Sequence, residues 1–353
     1  MKICHVINSL RTGGAEKLVV NLSREMINLG HEVTIVTLFQ ENGVPFELAK
    51  QYGIKVVNIG TGKWDAKLSF KLIRILKNFD VVHAHLFPAT YYVSLLPIKA
   101  KKVMTEHSTH NKRREKKIFR FIEKIIYRRF KKVFCISNGT KKALNAWQKN
   151  LNESTDIKVI YNGIEEGLIS NTSSNELNEV KPIKNLVCVA SLTKQKNHKL
   201  LIEAMQYTNG MNLYLVGDGP MRREIEELIR KYNLDEKIHL LGIQSDIKGI
   251  LSSADVFVLS SIWEGFGLVL IEAMAVGIPV IASDIDGINE IVINKKNGLL
   301  FNNQSATDLV ISLNLLNEDN ILRKSIISEG YKTANKFTVR NTVKKLLLEY
   351  EIS

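Results

Sequence analysis

A chain of 353 residues is longer than one hydrophobic core usually organises, so two domains of about 150 to 200 residues each are expected. With 45% hydrophobic and 24% charged residues, the composition excludes a disordered or fibrous chain. The net charge of +13 is unevenly placed: residues 1–180 carry 29 Lys and Arg against 16 Asp and Glu, while residues 181–353 carry 20 of each, so the N-terminal half is the one expected to meet an anionic partner.

The run Lys2 to Ile7 reads as a buried strand, followed by a Gly13-Gly14 turn, an amphipathic helix to Leu29 and a second strand from Glu32 to Phe39. Further strand-like runs follow at Lys55 to Ile59, Val81 to Ala84, Lys102 to Glu106, Val133 to Ile136 and Lys158 to Tyr161, with helical patterns between several of them. From Glu165 to Pro182 the sequence turns polar and loses periodicity, as an interdomain linker does. The alternation then restarts: strand Asn185 to Ala190, helix His198 to Met205, strand Asn212 to Val216, helix Met221 to Tyr232, strands Ile238 to Leu241 and Val256 to Leu259, helix Leu268 to Val276, strand Pro279 to Ala282. A helix from Thr338 to Tyr350 ends the chain. Such alternation implies two α/β, Rossmann-like domains with doubly wound parallel sheets, and we place them at 1–165 and 184–335, with a linker at 166–183 and a C-terminal helix at 336–353 that could pack back on the first domain.

Cys4, Cys135 and Cys188 each lie in an apolar run without a CxxC partner or a neighbouring His cluster, so buried free thiols in a reducing compartment are expected. The N-terminus lacks the apolar core of a signal peptide, and the most apolar stretch, Val256 to Ala282, is interrupted by Glu264 and Glu272; neither secretion nor a membrane span is expected.

The densest chemical signal is SIWEGFGLVLIEAMAVGIPV, Ser261 to Val280, running from a strand end through a Gly-rich loop into a helix. Gly265 and Gly267 let the backbone approach a ligand, and the N–H groups of Phe266, Gly267, Leu268 and Val269 open the helix, which makes a phosphate site. Glu264 and Glu272 flank it, placed for sugar and ribose hydroxyls, and two carboxylates in so apolar a segment are costly unless they bind something. His107 stands at a strand end as a site candidate; His83 and His85 follow another strand, with a ligand role and internal hydrogen bonding both open.

This segment resembles the Glu-x7-Glu motif of the retaining glycosyltransferases of family four, such as lipopolysaccharide and phosphatidylinositol mannosyl- or glucosyltransferases. The likeness continues in GGAEK at Gly13 to Lys17, TEHS at Thr105 to Ser108, ISNGTKK at Ile136 to Lys142, YNGI at Tyr161 to Ile164, LTKQKN at Leu192 to Asn197, VGDGP at Val216 to Pro220 and DIDGINEIV at Asp284 to Val292. The resemblance implies a GT-B architecture, with two Rossmann-like domains facing a central cleft. It also implies that Glu272 binds ribose hydroxyls, Glu264 faces the donor sugar, Lys196 neutralises the diphosphate, Gly14 lets a loop close over the phosphates, His107 lies near the transferred sugar and Ile243 lies by the base. Ser191 stands where the family usually has an arginine, which removes one phosphate-binding cation and leaves open whether Lys194 replaces it. Preorganised amides and a lysine at the departing phosphate lower the barrier without a metal, so no metal and no cofactor are expected; Asp284-Ile285-Asp286 has the letters of a metal motif but lies in a loop the family uses for the donor sugar.

The segment 112–132 holds 11 Lys and Arg against two Glu, and Ile118, Ile122, Ile125 and Ile126 recur among them at helical spacing. Lys112, Arg113, Arg114, Lys116, Lys117 and Arg120 are therefore the residues expected at an anionic membrane surface, with a solvated face as the alternative; no nucleic-acid motif accompanies the charge. The expected protein is thus a cytoplasmic enzyme, peripheral on the inner face of the plasma membrane, that moves a hexosyl or N-acetylhexosaminyl unit from a nucleotide sugar, UDP-linked by preference, to a lipid-linked glycan acceptor. The alternatives are a soluble enzyme acting on a free sugar or small metabolite, and a nucleotide or nucleic-acid binding module without transfer activity.

Overall fold

The computed structural model describes residues 1–11, 13–39, 43–60, 67–148, 155–169 and 181–352. They form two compact units, Met1–Gly163 with Thr338–Ser353, and Ile164–Phe337. Most of the expected linker, 166–183, lies outside the described residues; its first part forms a 3-10 turn at Glu166–Leu168.

Unit 1 alternates strand and helix: β1 Lys2–Ile7, α1 Gly14–Asn28, β2 Glu32–Thr37, α2 Val44–Gln51, β3 Lys55–Asn58, α3 Lys67–Leu76, β4 Val81–His85, α4 Ala89–Leu95, β5 Lys101–Glu106, α5 Lys117–Tyr127, β6 Lys132–Cys135, α6 Asn138–Trp147 and β7 Asp156–Val159. Its seven strands are all parallel, in the order β3-β2-β1-β4-β5-β6-β7. Buried runs such as KICHVI and VVHAH suit a sheet covered on both faces.

Unit 2 contains β8 Asn185–Val189, a 3-10 turn Lys194–Lys196, α7 His198–Met205, β9 Asn212–Val216, α8 Arg222–Lys231, β10 Ile238–Gly242, α9 Ile247–Ser252, β11 Val256–Leu259, α10 Leu268–Val276, β12 Val280–Ser283, β13 Leu299–Phe301, α11 Ala306–Glu318 and α12 Asn320–Ala334. Six parallel strands lie in the order β10-β9-β8-β11-β12-β13. The final helix, α13 Val339–Glu351, packs in unit 1: Val339, Val343, Leu346 and Tyr350 join Leu18, Leu22 and Phe134 in one buried cluster, and the Lys132 ammonium meets the Glu349 carboxylate at 2.5 Å. All three cysteines are free and buried, and burial pushes the Cys135 and Cys188 thiols up to about 12. No helix among the described residues is long and apolar enough to cross a membrane.

Candidate functional site

In each unit the strand order reverses direction once, between β1 and β4 in unit 1 and between β8 and β11 in unit 2. Loops leaving the carboxyl ends of such strand pairs are where open α/β sheets hold ligands.

In unit 2 the loops after β8 and β11 are stitched together. The Ser260 hydroxyl donates to the Lys196 and Asn197 carbonyls at 2.8 and 3.1 Å, the Ile262 N–H donates to the Gln195 carbonyl at 2.8 Å, and the Gln195 amide donates to the Trp263 carbonyl at 2.9 Å. This lattice presents Lys196 to Glu264: the ammonium donates to a carboxylate oxygen at 2.5 Å, and the Ser261 hydroxyl donates to the same oxygen at 3.1 Å. The two side chains are only 16% and 13% exposed, so solvent screens the pair weakly. The sequence indicated both residues but not their direct contact, nor the roles of Gln195, Ser260 and Ser261 in fixing it.

Immediately beyond Glu264 the chain turns through Gly267, whose φ of +82° is left-handed and whose Cβ, were there one, would press within 3.1 Å of a Leu270 methyl. Gly267 supplies no side-chain cap, so the positive end of α10 is not closed by a side chain of its N-cap residue. Glu272 lies further along α10 and is half-buried. Phe266 adds a restriction the sequence did not reveal: its ring is buried edge-on to Phe337 at 5.5 Å and is not presented to a ligand. Gly287, with φ +91°, lets the loop after β12 rest on the same turn; a Cβ there would stand 2.8 Å from the Glu264 carbonyl oxygen. Ser191 and Lys194 are exposed on the loop after β8. Ile243 is 58% exposed just after the edge strand β10.

In unit 1, Gly14 opens α1 with open space where a Cβ would stand. Pairing in register sets His5 opposite His83 and His85 opposite Thr105, so His5, His83 and His85 share one sheet face with His107 just beyond β5. His5 Nδ1 meets His85 Nε2 at 3.0 Å, and His85 Nδ1 meets His107 Nε2 at 3.1 Å. His83 is spent on internal hydrogen bonds, Nδ1 to the Tyr350 hydroxyl at 2.5 Å and Nε2 to the Thr105 hydroxyl at 2.7 Å. Burial lowers the pKa of all four imidazoles: His5 and His107 fall to about 4, and His83 and His85 fall well below the ordinary value. The sequence pointed to His107 and left His83 and His85 open; His5 was missed, because strand alternation alone does not show that β1 pairs with β4. His5, His83 and His85 also have the spacing of a metal-ligating group, with ligand atoms within 4.8 Å of one another, but hydrogen bonds already occupy both nitrogens of His83 and His85 and one of His5.

The basic segment requires a correction. Arg113 and Arg114 are turned inward: Arg113 Nε donates to Glu123 at 3.2 Å with its guanidinium 4.1 Å above the Phe87 ring, and Arg114 pairs with Glu106 at 2.9 Å. Glu123 is fully buried and also accepts from Trp147 Nε1 at 2.8 Å and Tyr91 at 3.2 Å, so a buried carboxylate claims these arginines before any surface can. Ile126 likewise belongs to the core. Lys116, Lys117 and Arg120 are exposed, beside an apolar ridge of Ile118, Phe121, Ile122 and Ile125, of which Phe121 is 68% exposed. The Lys112 side chain lies outside the described residues.

The doubly wound parallel sheet of unit 2 thus carries the Lys196–Glu264 pair and the start of α10 at its switch point. The profile described as Glycosyltransferase Family 4 matches residues 12–167, and that described as Glycosyl transferases group 1 matches residues 170–333. The chain belongs to this glycosyltransferase family. It is 27% identical over 304 residues to the UDP-Gal:alpha-D-GlcNAc-diphosphoundecaprenol alpha-1,3-galactosyltransferase of Escherichia coli, covering 80% of this chain and 78% of that one. It is 26% identical over 317 residues to the N-acetyl-alpha-D-glucosaminyl L-malate synthase of Bacillus anthracis, covering 82% and 80%. The crystal structure of Anabaena HepE in complex with UDP and glucose superposes with a TM-score of 0.87 at 21% identity, covering 99% of both chains, which is a likeness of fold.

Proposed function

We propose that this enzyme transfers a hexosyl or N-acetylhexosaminyl unit from a UDP-linked sugar to a lipid-linked intermediate of a bacterial surface polysaccharide, with retention of anomeric configuration. The observation that carries the reading is the Lys196–Glu264 pair, fixed at 2.5 Å beside the start of α10, whose N-cap is the glycine Gly267. Breaking a sugar–diphosphate bond puts negative charge on the departing phosphate, and the Lys196 ammonium, passing part of its contact with Glu264 to phosphate oxygens, stabilises that charge with the helix amides beside it. Glu264 then holds sugar hydroxyls, Glu272 the ribose, and Ile243 offers an apolar surface to the base, while Gly14 leaves room for phosphate near α1 and His107 serves the transferred sugar. Ser191 leaves Lys196 as the principal phosphate cation. With the departing charge met by an ammonium and backbone amides, the proposed transfer proceeds without a divalent metal.

The acceptor side of the reading is supported by the Escherichia coli relative, whose name carries a diphosphoundecaprenol, and by the exposed ridge Ile118, Phe121, Ile122 and Ile125 among Lys116, Lys117 and Arg120, which suits the inner face of the plasma membrane. A second reading, transfer to a small soluble acceptor, is favoured by the Bacillus anthracis relative, whose name places the sugar on L-malate.

Thermal unfolding with a panel of nucleotide sugars tests the donor site. At a hundredfold excess over Kd, one UDP-sugar is expected to raise the midpoint by roughly 5 °C or more in the wild type and by much less in Lys196→Ala. A panel in which no nucleotide sugar stabilises the fold, or in which Lys196→Ala responds fully, would overturn the assignment.

A further inference from the structure

The histidines of unit 1 form a chain with one buried end and one open end. His5 Nε2 is buried and has no hydrogen-bond partner; from His5 the contacts run His5 Nδ1 to His85 Nε2 at 3.0 Å and His85 Nδ1 to His107 Nε2 at 3.1 Å. His107 Nδ1, at the open end, has no partner among the described residues. Each imidazole is neutral at pH 7, because burial lowers its pKa, and a neutral imidazole carries one N–H and one lone pair.

Only two proton arrangements satisfy both contacts. In the first, His107 Nε2–H donates to His85 and His85 Nε2–H donates to His5, which leaves His5 with a buried N–H and no acceptor. In the second, His5 Nδ1–H donates to His85 and His85 Nδ1–H donates to His107 Nε2, which leaves a bare lone pair at His5 Nε2 and places the remaining proton of His107 on Nδ1. Buried N–H groups without a partner are rarer than under-used acceptors, so the second arrangement wins. His83 keeps the chain from rotating: its ring lies 4.1 Å from that of His85 and is pinned by Thr105 and Tyr350.

We propose that His5 and His85 are positioning residues that lock His107 in its Nδ1–H tautomer, so that His107 offers a hydrogen-bond donor, and not a base, to a sugar oxygen at the carboxyl end of the unit 1 sheet. The identity of the ligand rests on the glycosyl-transfer reading; the tautomer does not.

The test uses the full chain with 15N-labelled histidine and long-range 1H–15N correlation spectra at pH 7, with the His107 signals assigned by their loss in His107→Gln. The wild type is expected to show His107 protonated at Nδ1 alone. His85→Phe removes the N–H aimed at His107 Nε2 and is expected to shift His107 toward the Nε2–H form that imidazole prefers in water, whereas His85→Asn keeps an amide N–H in that place and is expected to restore the Nδ1–H signature. With the UDP-sugar that stabilises the fold, KM should rise at least tenfold in His85→Phe and recover in His85→Asn. An Nε2–H or imidazolium signature for His107 in the wild type, or an unchanged His107 tautomer in folded His85→Phe, would overturn the lock. The predicted signature without transfer from any nucleotide sugar would count against the transfer reading alone.

Discussion

The Lys196 ammonium already has a carboxylate partner at 2.5 Å, so in the proposed reading a diphosphate binds there by exchanging part of that contact for phosphate oxygens. A lysine held this way keeps its side chain extended without a ligand, and Glu264 is left beside the sugar when the exchange is made. The histidines of unit 1 make a different statement at the same level of detail, because folding lowers their pKa values by burial. Between the ordinary value of 6.5 and about 4, the unfolded chain takes up protons that the folded chain refuses. The stability from keeping these groups neutral is therefore fully present above pH 6.5 and is lost as pH falls through that window, at about 1.4 kcal/mol per pH unit for each fully buried histidine. The urea midpoint is expected to be clearly lower at pH 5.0 than at pH 7.5; equal midpoints would contradict the burial of neutral imidazoles. Residue types were readable here and partners were not. Lys196, Glu264 and His107 were marked by their sequence surroundings, whereas the 2.5 Å pairing and the His5 contact depend on which strands become neighbours.

Helix α5 shows how an element can be read correctly in outline and wrongly in detail. The spacing of its isoleucines announced an amphipathic helix, but periodicity cannot tell which basic residues a buried Glu123 will recruit, and Arg113 and Arg114 were lost to it. Phe121 completes the exposed ridge, while Ile126, at the same helical spacing as the other isoleucines, lies in the core. Phe121→Ser is expected to reduce binding to vesicles rich in anionic lipid about tenfold or more while leaving the thermal midpoint within about 1 °C, since the ring is exposed. Co-sedimentation checks it, and undiminished binding would remove the ridge from the membrane contact. Other elements were invisible for physical reasons. β13 is three residues long, and α12 packs through the small residue Gly330 against Met274, so it lacks the broad apolar stripe by which α13 was found.

The two units were legible because buried parallel strands write continuous apolar runs and their helices write a longer period. The chain leaves unit 1 at Gly163 and returns at Thr338, and the Ile164 N–H donates to the Phe337 carbonyl at 2.9 Å where the chain enters and leaves unit 2. Charge follows the same division at sequence level, with the basic excess in the first half and a neutral second half carrying Lys196, Glu264 and Glu272. That division suits an enzyme that takes its acceptor at an anionic surface and its soluble donor on the other unit. The decisive measurement is mass spectrometry of a polyprenyl diphosphate-linked N-acetylhexosamine incubated with the full chain, the stabilising UDP-sugar and excess chelator. The account predicts a mass increase of one hexose or N-acetylhexosamine on the lipid, with UDP released in equal amount; a product formed only on small soluble acceptors, or only when Mg²⁺ or Mn²⁺ is restored, would contradict it.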